Sequence, residues 1–352
     1  MGQWIWSSDP NNHDYVWFRF AFDLNSTAST NRFVIGSGAT LQNTGKLLVQ
    51  TTGAVSFDGN LSAQTQSAIT LGSNVSSTGS QTYGAPVTLS GGPRTLTGTL
   101  INTSSTLAGA NNALTIAGNL QTGGAYTGLS SLSVAGTTHL GGNVTTSGAQ
   151  TYGGAMTVNA SSTLSGSGLS LAAVDRGSHT LTANEAGTGA ISGVVSGAGA
   201  LTKTGAGTLT LSNTNTFAGG VTVNAGVLKI SADSNLGAEP VTADADALTL
   251  NGGTLQVTAD TTLASNRGIS LGSSGGTFSI DPSVTVNYAG VMAGTGRLYK
   301  LGGGTLVLGG NNTYSGGTLL SGGTLFGGTA SQGRTAFGSG AITVGSGTTL
   351  WT

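Results

Sequence analysis

Two stretches of this chain recur without a gap, and repetition at a fixed offset constrains a fold more than any single motif. Residues 71–89 read LGSNVSSTGSQTYGAPVTL and residues 140–158 read LGGNVTTSGAQTYGGAMTV, an offset of 69. Asn74/Asn143, Gln81/Gln150 and Tyr83/Tyr152 are among the identical pairs. A weaker echo, GGAYTGLSSLSV, starts at Gly123. Further along, 201–228 read LTKTGAGTLTLSNTNTFAGGVTVNAGVL and 298–325 read LYKLGGGTLVLGGNNTYSGGTLLSGGTL, an offset of 97. Here Lys203/Lys300, Asn215/Asn312 and Gly220/Gly317 match, and Phe217 is answered by Tyr314.

Each unit has the same physical grammar. Gly-x-Leu-x-Leu is a short strand with its leucines on one face. Asn-Thr-aromatic-x-Gly-Gly is expected to turn, because Asn and Gly tolerate positive φ. Strands this short form no stable hairpin alone. Stacked coil on coil, they bury a continuous interior and pair their edges. The expected fold is therefore all-β: a right-handed parallel β-helix with three short strands per coil. Three coils of about 23 residues give the first offset and four of about 24 give the second, within the usual repeat range. Some 13 coils at about 4.8 Å each would make a rod of about 60 Å.

Composition agrees. The chain has 352 residues, 62 of them Gly, 23 charged and no Cys. Ordinary domains carry about 25% charged residues, so this surface must be built from Ser, Thr, Asn, Gln and Gly. Disorder is excluded, because 37% apolar residues and a net charge of -1 are the reverse of the disordered signature. A nucleic-acid partner is excluded too. Between Arg32 and Asp175 the only charged residues are Lys46, Asp58 and Arg94, too few to neutralise phosphates. No apolar run is long enough for a membrane helix, so no direct membrane insertion is expected.

Three regions follow. Residues 1–35 are aromatic-rich, with three of the four Trp in WIWSSDPNNHDYVWFRFAFDL, and are expected to cap the open end of the solenoid. Residues 36–195 carry the QTYG-type repeats, and 196–352 continue the solenoid with the second family. The opening Met1-Gly2-Gln3-Trp4-Ile5-Trp6 lacks the basic and apolar stretches of a secretory signal, and the pattern runs on to Thr352. Both features lead us to expect a longer parent.

Little catalytic chemistry is apparent. His13, His139 and His179 are scattered, and none has a metal ligand nearby in sequence. The acidic candidates are Asp233, Asp244, Asp246 and Asp260, with Arg267 as the nearest cation. Their convergence would signal a polysaccharide-cleaving site. The expected reading is instead solvated loop carboxylates, with ADADA in a loop after Pro240 and at most weak Ca²⁺ binding. The calcium nonapeptide, a phosphate-cradling loop and a convincing nucleophile elbow are absent, so no cofactor is expected. Lys203 and Lys300 are expected to face solvent and discourage edge pairing. Tyr83, Tyr152, Phe217 and Tyr314 are expected to stack across coils at the turns, or to serve as exposed contact points. An ice-binding face would need a regular Thr array. Pairs such as Thr95-Leu96-Thr97 and Thr208-Leu209-Thr210 do not recur at one coil spacing, which argues against it.

Residues 197–230 and 294–325 resemble the autotransporter-associated β-strand repeat, roughly LxKxGxGTLxLxGxNTYxGGTxVxxGTL, and LTLNGGTLQV (248–257) and FGSGAITVGSGTTL (337–350) fit its continuation. GSQTYGAPVTL and GAQTYGGAMTV resemble repeats of filamentous-haemagglutinin-like surface proteins. Together these resemblances cover about residues 70–352. They imply a β-helical passenger region, displayed on or released from a Gram-negative-type cell, without the exporting barrel. The N-terminal WIW…WFRFAF resembles the opening strands of jelly-roll modules in α-rhamnosidase-like glycosidases, though Ala21 and a lost basic position depart from that pattern. The functional expectation is a structural or adhesive module, not an enzyme. Its partner would be a surface glycan, a host surface or another copy of itself. The alternative is a polysaccharide-active β-helix enzyme or an N-terminal sugar-binding module.

Overall fold

The computed structural model describes residues 33–35, 46–49, 55–57, 59–63, 67–328 and 336–352. The proposed cap, its Trp residues and His13 lie outside these residues, apart from the strand Phe33–Ile35. The described chain is an all-β, right-handed parallel β-helix of about 14 turns. Every strand pairing is parallel.

Three faces run the length of the rod, and each is a stack of in-register rungs. Face A begins Leu47↔Ile69↔Val87↔Leu107 and continues through Val144, Leu164 and Ala183 to Lys203, Val223, Leu250 and Leu271. Face B begins Val55↔Val75↔Leu96↔Ile116 and continues through Val134, Tyr152, Leu171 and Ile191 to Leu211. Face C runs Leu61↔Gln81↔Ile101↔Leu120↔Thr138↔Met156↔Val174↔Val195. Side chains alternate along each short strand. Val221 and Val223 are buried while Thr222 between them is half-exposed, and Leu61 and Ala63 flank Ser62 likewise. That period of two makes the continuous apolar interior. Each fully buried Leu or Val contributes about 1.5–3 kcal/mol.

Successive coils touch at the corners, backbone against backbone, and this is where the glycines go. A Cβ on Gly118 would collide with the carbonyl of Gly98 in the coil below, and one on Gly199 with that of His179. Neither position needs a special φ. The demand is close approach between coils.

The coil length expected from the repeats holds only in part. Along face C, Gln81, Ile101, Leu120, Thr138 and Met156 are successive rungs, so a coil there takes 18 to 20 residues. Beyond Leu228 the coils lengthen: the rungs on face B fall at Leu255, Phe278, Lys300, Leu320 and Val344, steps of 20 to 27. The reason is that repeats need not return to the same face. Gln81 climbs three turns of face C to Thr138. Val144 on face A and Gln150 on face B then add two further thirds. The 69-residue offset thus spans three and two-thirds turns, roughly 19 residues each. Lys203 climbs four turns of face A to Gly294, and Lys300 lies one third further, on face B. Both repeat pairs are therefore rotated between faces.

Two local expectations are also corrected. ADADA is not wholly a loop: a strand spans Asp244–Leu250, with a register shift between Asp244 and Leu248. The Asn-Thr-aromatic segment is not a free turn but a rung without a strand. The Asn215 Oδ1 accepts from the Val195 amide at 2.8 Å, and its Nδ2 donates to the Asn235 carbonyl at 2.6 Å. Asn312 does the same between the Met292 amide (2.7 Å) and the Ala336 carbonyl (2.5 Å). A buried side-chain amide here replaces ladder hydrogen bonds, so the coil can bulge without orphaning the backbone.

Candidate functional site

The acidic candidates do not assemble. Asp233 and Arg267 form a bidentate pair, with Arg267 Nε to Oδ1 at 3.0 Å and Nη2 to Oδ2 at 3.1 Å. Arg267 is buried, and its remaining donors meet the carbonyls of Leu236, Gly237 and Ala238. Its capacity is spent on locking the short 3-10 turn Asp233–Leu236 against the rod. Asp260 lies outside this network and accepts from the Thr285 amide at 2.7 Å. Asp244 stands beside Arg267 in register but makes no hydrogen bond to it, and its Oδ1 accepts only from the Asp246 amide at 3.4 Å. Among the described residues no three His, Asp or Glu side chains are grouped to hold a metal. His139 is exposed on face C between Gln121 and Thr157, and His179 is half-buried.

The aromatic positions are inside the rod, so they are not contact points. Tyr83 and Tyr152 are buried, and each donates its hydroxyl to the glutamine two residues before it, Gln81 at 2.8 Å and Gln150 at 2.9 Å. Gln81 Nε2 donates to the carbonyls of Val75 (3.2 Å) and Thr97 (2.8 Å), and Gln150 Nε2 to those of Val144 (3.1 Å) and Ser165 (2.8 Å). The two networks share these bonds although they stand on different faces, and Gln150 Nε2 also reaches Thr146 Oγ1 at 3.4 Å. Burial raises both tyrosine pKa values well above normal.

The lysines are also inside, contrary to expectation. Lys203 Nζ donates to the carbonyls of Thr204 (2.5 Å), Gly205 (2.8 Å) and Ala225 (3.3 Å). Lys300 Nζ meets those of Leu301, Gly302 and Gly322 at 2.8, 3.0 and 3.0 Å. Each ammonium gathers the carbonyls of a glycine corner across two coils. Sequence reasoning missed this because a strand Lys is nearly always solvated. Its recurrence at one repeat position, two residues after the inward Leu201 and Leu298, was the available signal. Lys203 has a buried acid partner, Glu185, at 3.6 Å. Burial raises the Glu185 pKa and lowers that of Lys203, and their attraction opposes both shifts. Among the described residues Lys300 has no acid partner, and burial lowers its pKa to about 8.

Arg176 was not anticipated at all. It is fully buried with its guanidinium 4.3 Å from the centroid of the Phe217 ring, a cation–π contact, and its side-chain nitrogens have no hydrogen-bond partner among the described residues. Burial lowers its pKa to about 10.

With the charges of these strands turned inward, the outer faces become legible. Outward on face A, Thr163↔Thr182↔Thr202↔Thr222↔Thr249 stand in register on five consecutive coils, followed by Ser270. The threonines do not recur at one sequence spacing, yet on this face they stand in register. They recur at the true coil lengths, which vary. Face B shows Thr95↔Thr115↔Ser133↔Thr151↔Ser170, and face C a mixed row including Asn102, Gln121, His139 and Asp175.

The family described as Passenger-associated-transport-repeat matches at residues 201–230 and 298–325. The chain carries two autotransporter-associated repeats. Those repeats are the segments whose Lys fill the glycine corners and whose Asn replace ladder hydrogen bonds. The Adhesin BmaC autotransporter of Brucella suis biovar 1 (strain 1330) is 36% identical over 124 residues, which cover 33% of this chain and 4% of that protein. No solved structure gives a significant match. Among the described residues, no helix is long and apolar enough to cross a membrane.

Proposed function

We propose that this chain is a stretch of the passenger of a bacterial cell-surface or secreted protein, acting as a stiff spacer or a weak, multivalent binder rather than as an enzyme. The observation that carries this reading is the pair of passenger-associated repeats set within one uninterrupted solenoid. The similarity to an adhesin autotransporter supports it. So does the fate of the acidic candidates, since Arg267 is consumed in a structural pair with Asp233, and among the described residues Asp244, Asp246 and Asp260 make no hydrogen bond to it. The partner in this reading is a surface glycan or another copy of the same rod, met by many weak contacts from Thr, Ser and Asn. Each such hydrogen bond contributes only about 0.5–1.5 kcal/mol, so useful affinity requires many at once.

The test is to compare the chain as a free monomer with the same chain displayed at high density on cells or beads, on glycan-coated and self-coated surfaces. The expected result is retention only of the dense display, with no soluble sugar product released. Release of product that disappears in Asp244→Asn would overturn the non-enzymatic reading. Tight one-to-one binding by the monomer would overturn the multivalent one.

A further inference from the structure

We propose that the threonine ladder of face A, Thr163, Thr182, Thr202, Thr222 and Thr249, is an ice-binding surface. The inference is independent of the passenger reading above and rests on four properties of this face.

The first is regularity. The five residues are successive rungs of a parallel ladder, so they repeat at about 4.8 Å along the rod. A second row lies two residues on, where Ser165, Asn184 and Thr204 are again in register, about 6.6 Å away along the strand direction. The second is free bonding capacity. All five threonines are half-buried, so they are held by their neighbours, yet none of their hydroxyls has a hydrogen-bond partner among the described residues. The third is neutrality. Glu185 and Lys203 belong to these same strands, but both point into the rod and leave only Thr, Ser and Asn in the two outward rows. The fourth is rigidity, because each rung sits on a strand bonded above and below.

The dimensions favour ordered water. Oxygens hydrogen-bonded at about 2.75 Å in a tetrahedral lattice place second neighbours about 4.5 Å apart and repeat along the hexagonal axis at about 7.3 Å. The ladder differs from the first spacing by about 0.3 Å per rung, which accumulates to about 1.2 Å over the four intervals, under half of one oxygen–oxygen distance. Across the rows the mismatch is about 0.7 Å over a single interval. Threonine suits this role in both of its branches: the hydroxyl takes a lattice position, and the methyl restrains the water between positions. A polysaccharide is the weaker fit, because the two rows hold no aromatic ring on which a sugar could stack.

The experiment uses the full chain in two assays, partition into a slowly growing ice front and microscopy of single crystals just below freezing. The wild-type chain should enter the ice and facet the crystals. The double variant T182K/T202K should partition at least tenfold less while keeping the same circular dichroism and unfolding midpoint. An outward Lys229 already stands on face B, so this fold tolerates the change. Ser170→Lys on face B should partition like wild type. A wild-type chain left in the liquid would overturn the proposal, as would equal partition by T182K/T202K. Binding to insoluble β-glucan that is lost in T182K/T202K, without entry into ice, would overturn it and reassign the face to a glycan.

Discussion

In the coils of Gln81 and Gln150, the carbonyls of the interior are met by a neutral amide. In the coils of Lys203 and Lys300, they are met by an ammonium. The two solutions make different demands. An amide has an acceptor of its own that must be satisfied, which is why each glutamine travels with a tyrosine two residues on. An ammonium has only donors, so three carbonyls saturate it, but it brings a charge into the rod. The first copy sets Glu185 beside that charge, and the second sets no acid there among the described residues. The neutral coils can therefore be cut short and repeated freely. The charged ones should be sensitive to what lies in the neighbouring coil.

The largest effect should separate the two lysines. Lys203→Met leaves Glu185 buried without its partner and is expected to cost about 3–5 kcal/mol. Lys300→Met orphans three carbonyls but also removes an unpaired buried charge, and should cost about 1–2 kcal/mol. Urea unfolding of both variants reads the gap, and adding Glu185→Gln to Lys203→Met should recover part of the loss. Equal costs would mean that Glu185 is indifferent to Lys203.

The pH dependence sharpens the same contrast. Lys300 releases its proton near pH 8 in the folded chain but near its ordinary 10.5 when unfolded. Between those values the unfolded chain binds more protons, so stability rises with pH. At 1.36 kcal/mol per pKa unit the gain is at most about 3 kcal/mol by pH 10.5, and solvent screening reduces it. The buried tyrosines act oppositely above pH 10, because the unfolded chain ionises them first. The difference between wild type and Lys300→Met isolates the lysine. A flat difference from pH 8 to 10.5 would show that this ammonium is solvated.

The neutral coils should be indifferent to face. Gln81→Ala on face C and Gln150→Ala on face B each strand two carbonyls and a tyrosine hydroxyl, at about 2–3 kcal/mol. The two costs should agree within about 0.5 kcal/mol and add in the double variant, since the sites share no partner. Unequal costs would mean that rotation between faces changes the environment after all.

That rotation also explains what could and could not be read from the sequence. The fold was legible, because alternating Leu and Thr around glycine corners admits little besides a stacked solenoid. The coil length was not. Gln81 and Gln150 match residue for residue, yet nothing in the match says that three and two-thirds turns separate them rather than three. Three near-equivalent faces make a third of a coil the true unit. The threonine row of face A was hidden for the same reason, since its members fall 19, 20, 20 and 27 residues apart. The inward lysines were misjudged because the usual cost of burying a Lys outweighs a pattern seen in only two copies. Arg176 has no repeat partner at all.

The smallest effect concerns a pair of substitutions that the two passenger repeats make together. Tyr314 in the second copy bonds its hydroxyl to Thr318, and Thr318 donates to the Phe337 carbonyl at 3.3 Å. The first copy has Phe217 and Val221 at the matching positions, both buried. The hydroxyls are thus kept or lost together. Tyr314→Phe should cost about 1 kcal/mol, because Thr318 keeps an acceptor. Thr318→Val should cost about 1–3 kcal/mol, because the tyrosine hydroxyl is left buried without its partner. Combining the two recreates the packing of the first copy, so the double variant should cost less than the sum by about 1 kcal/mol. A strictly additive result would mean that the tyrosine hydroxyl finds another partner, a water at that corner being the nearest substitute. The two copies would then differ in hydration rather than in a coupled pair.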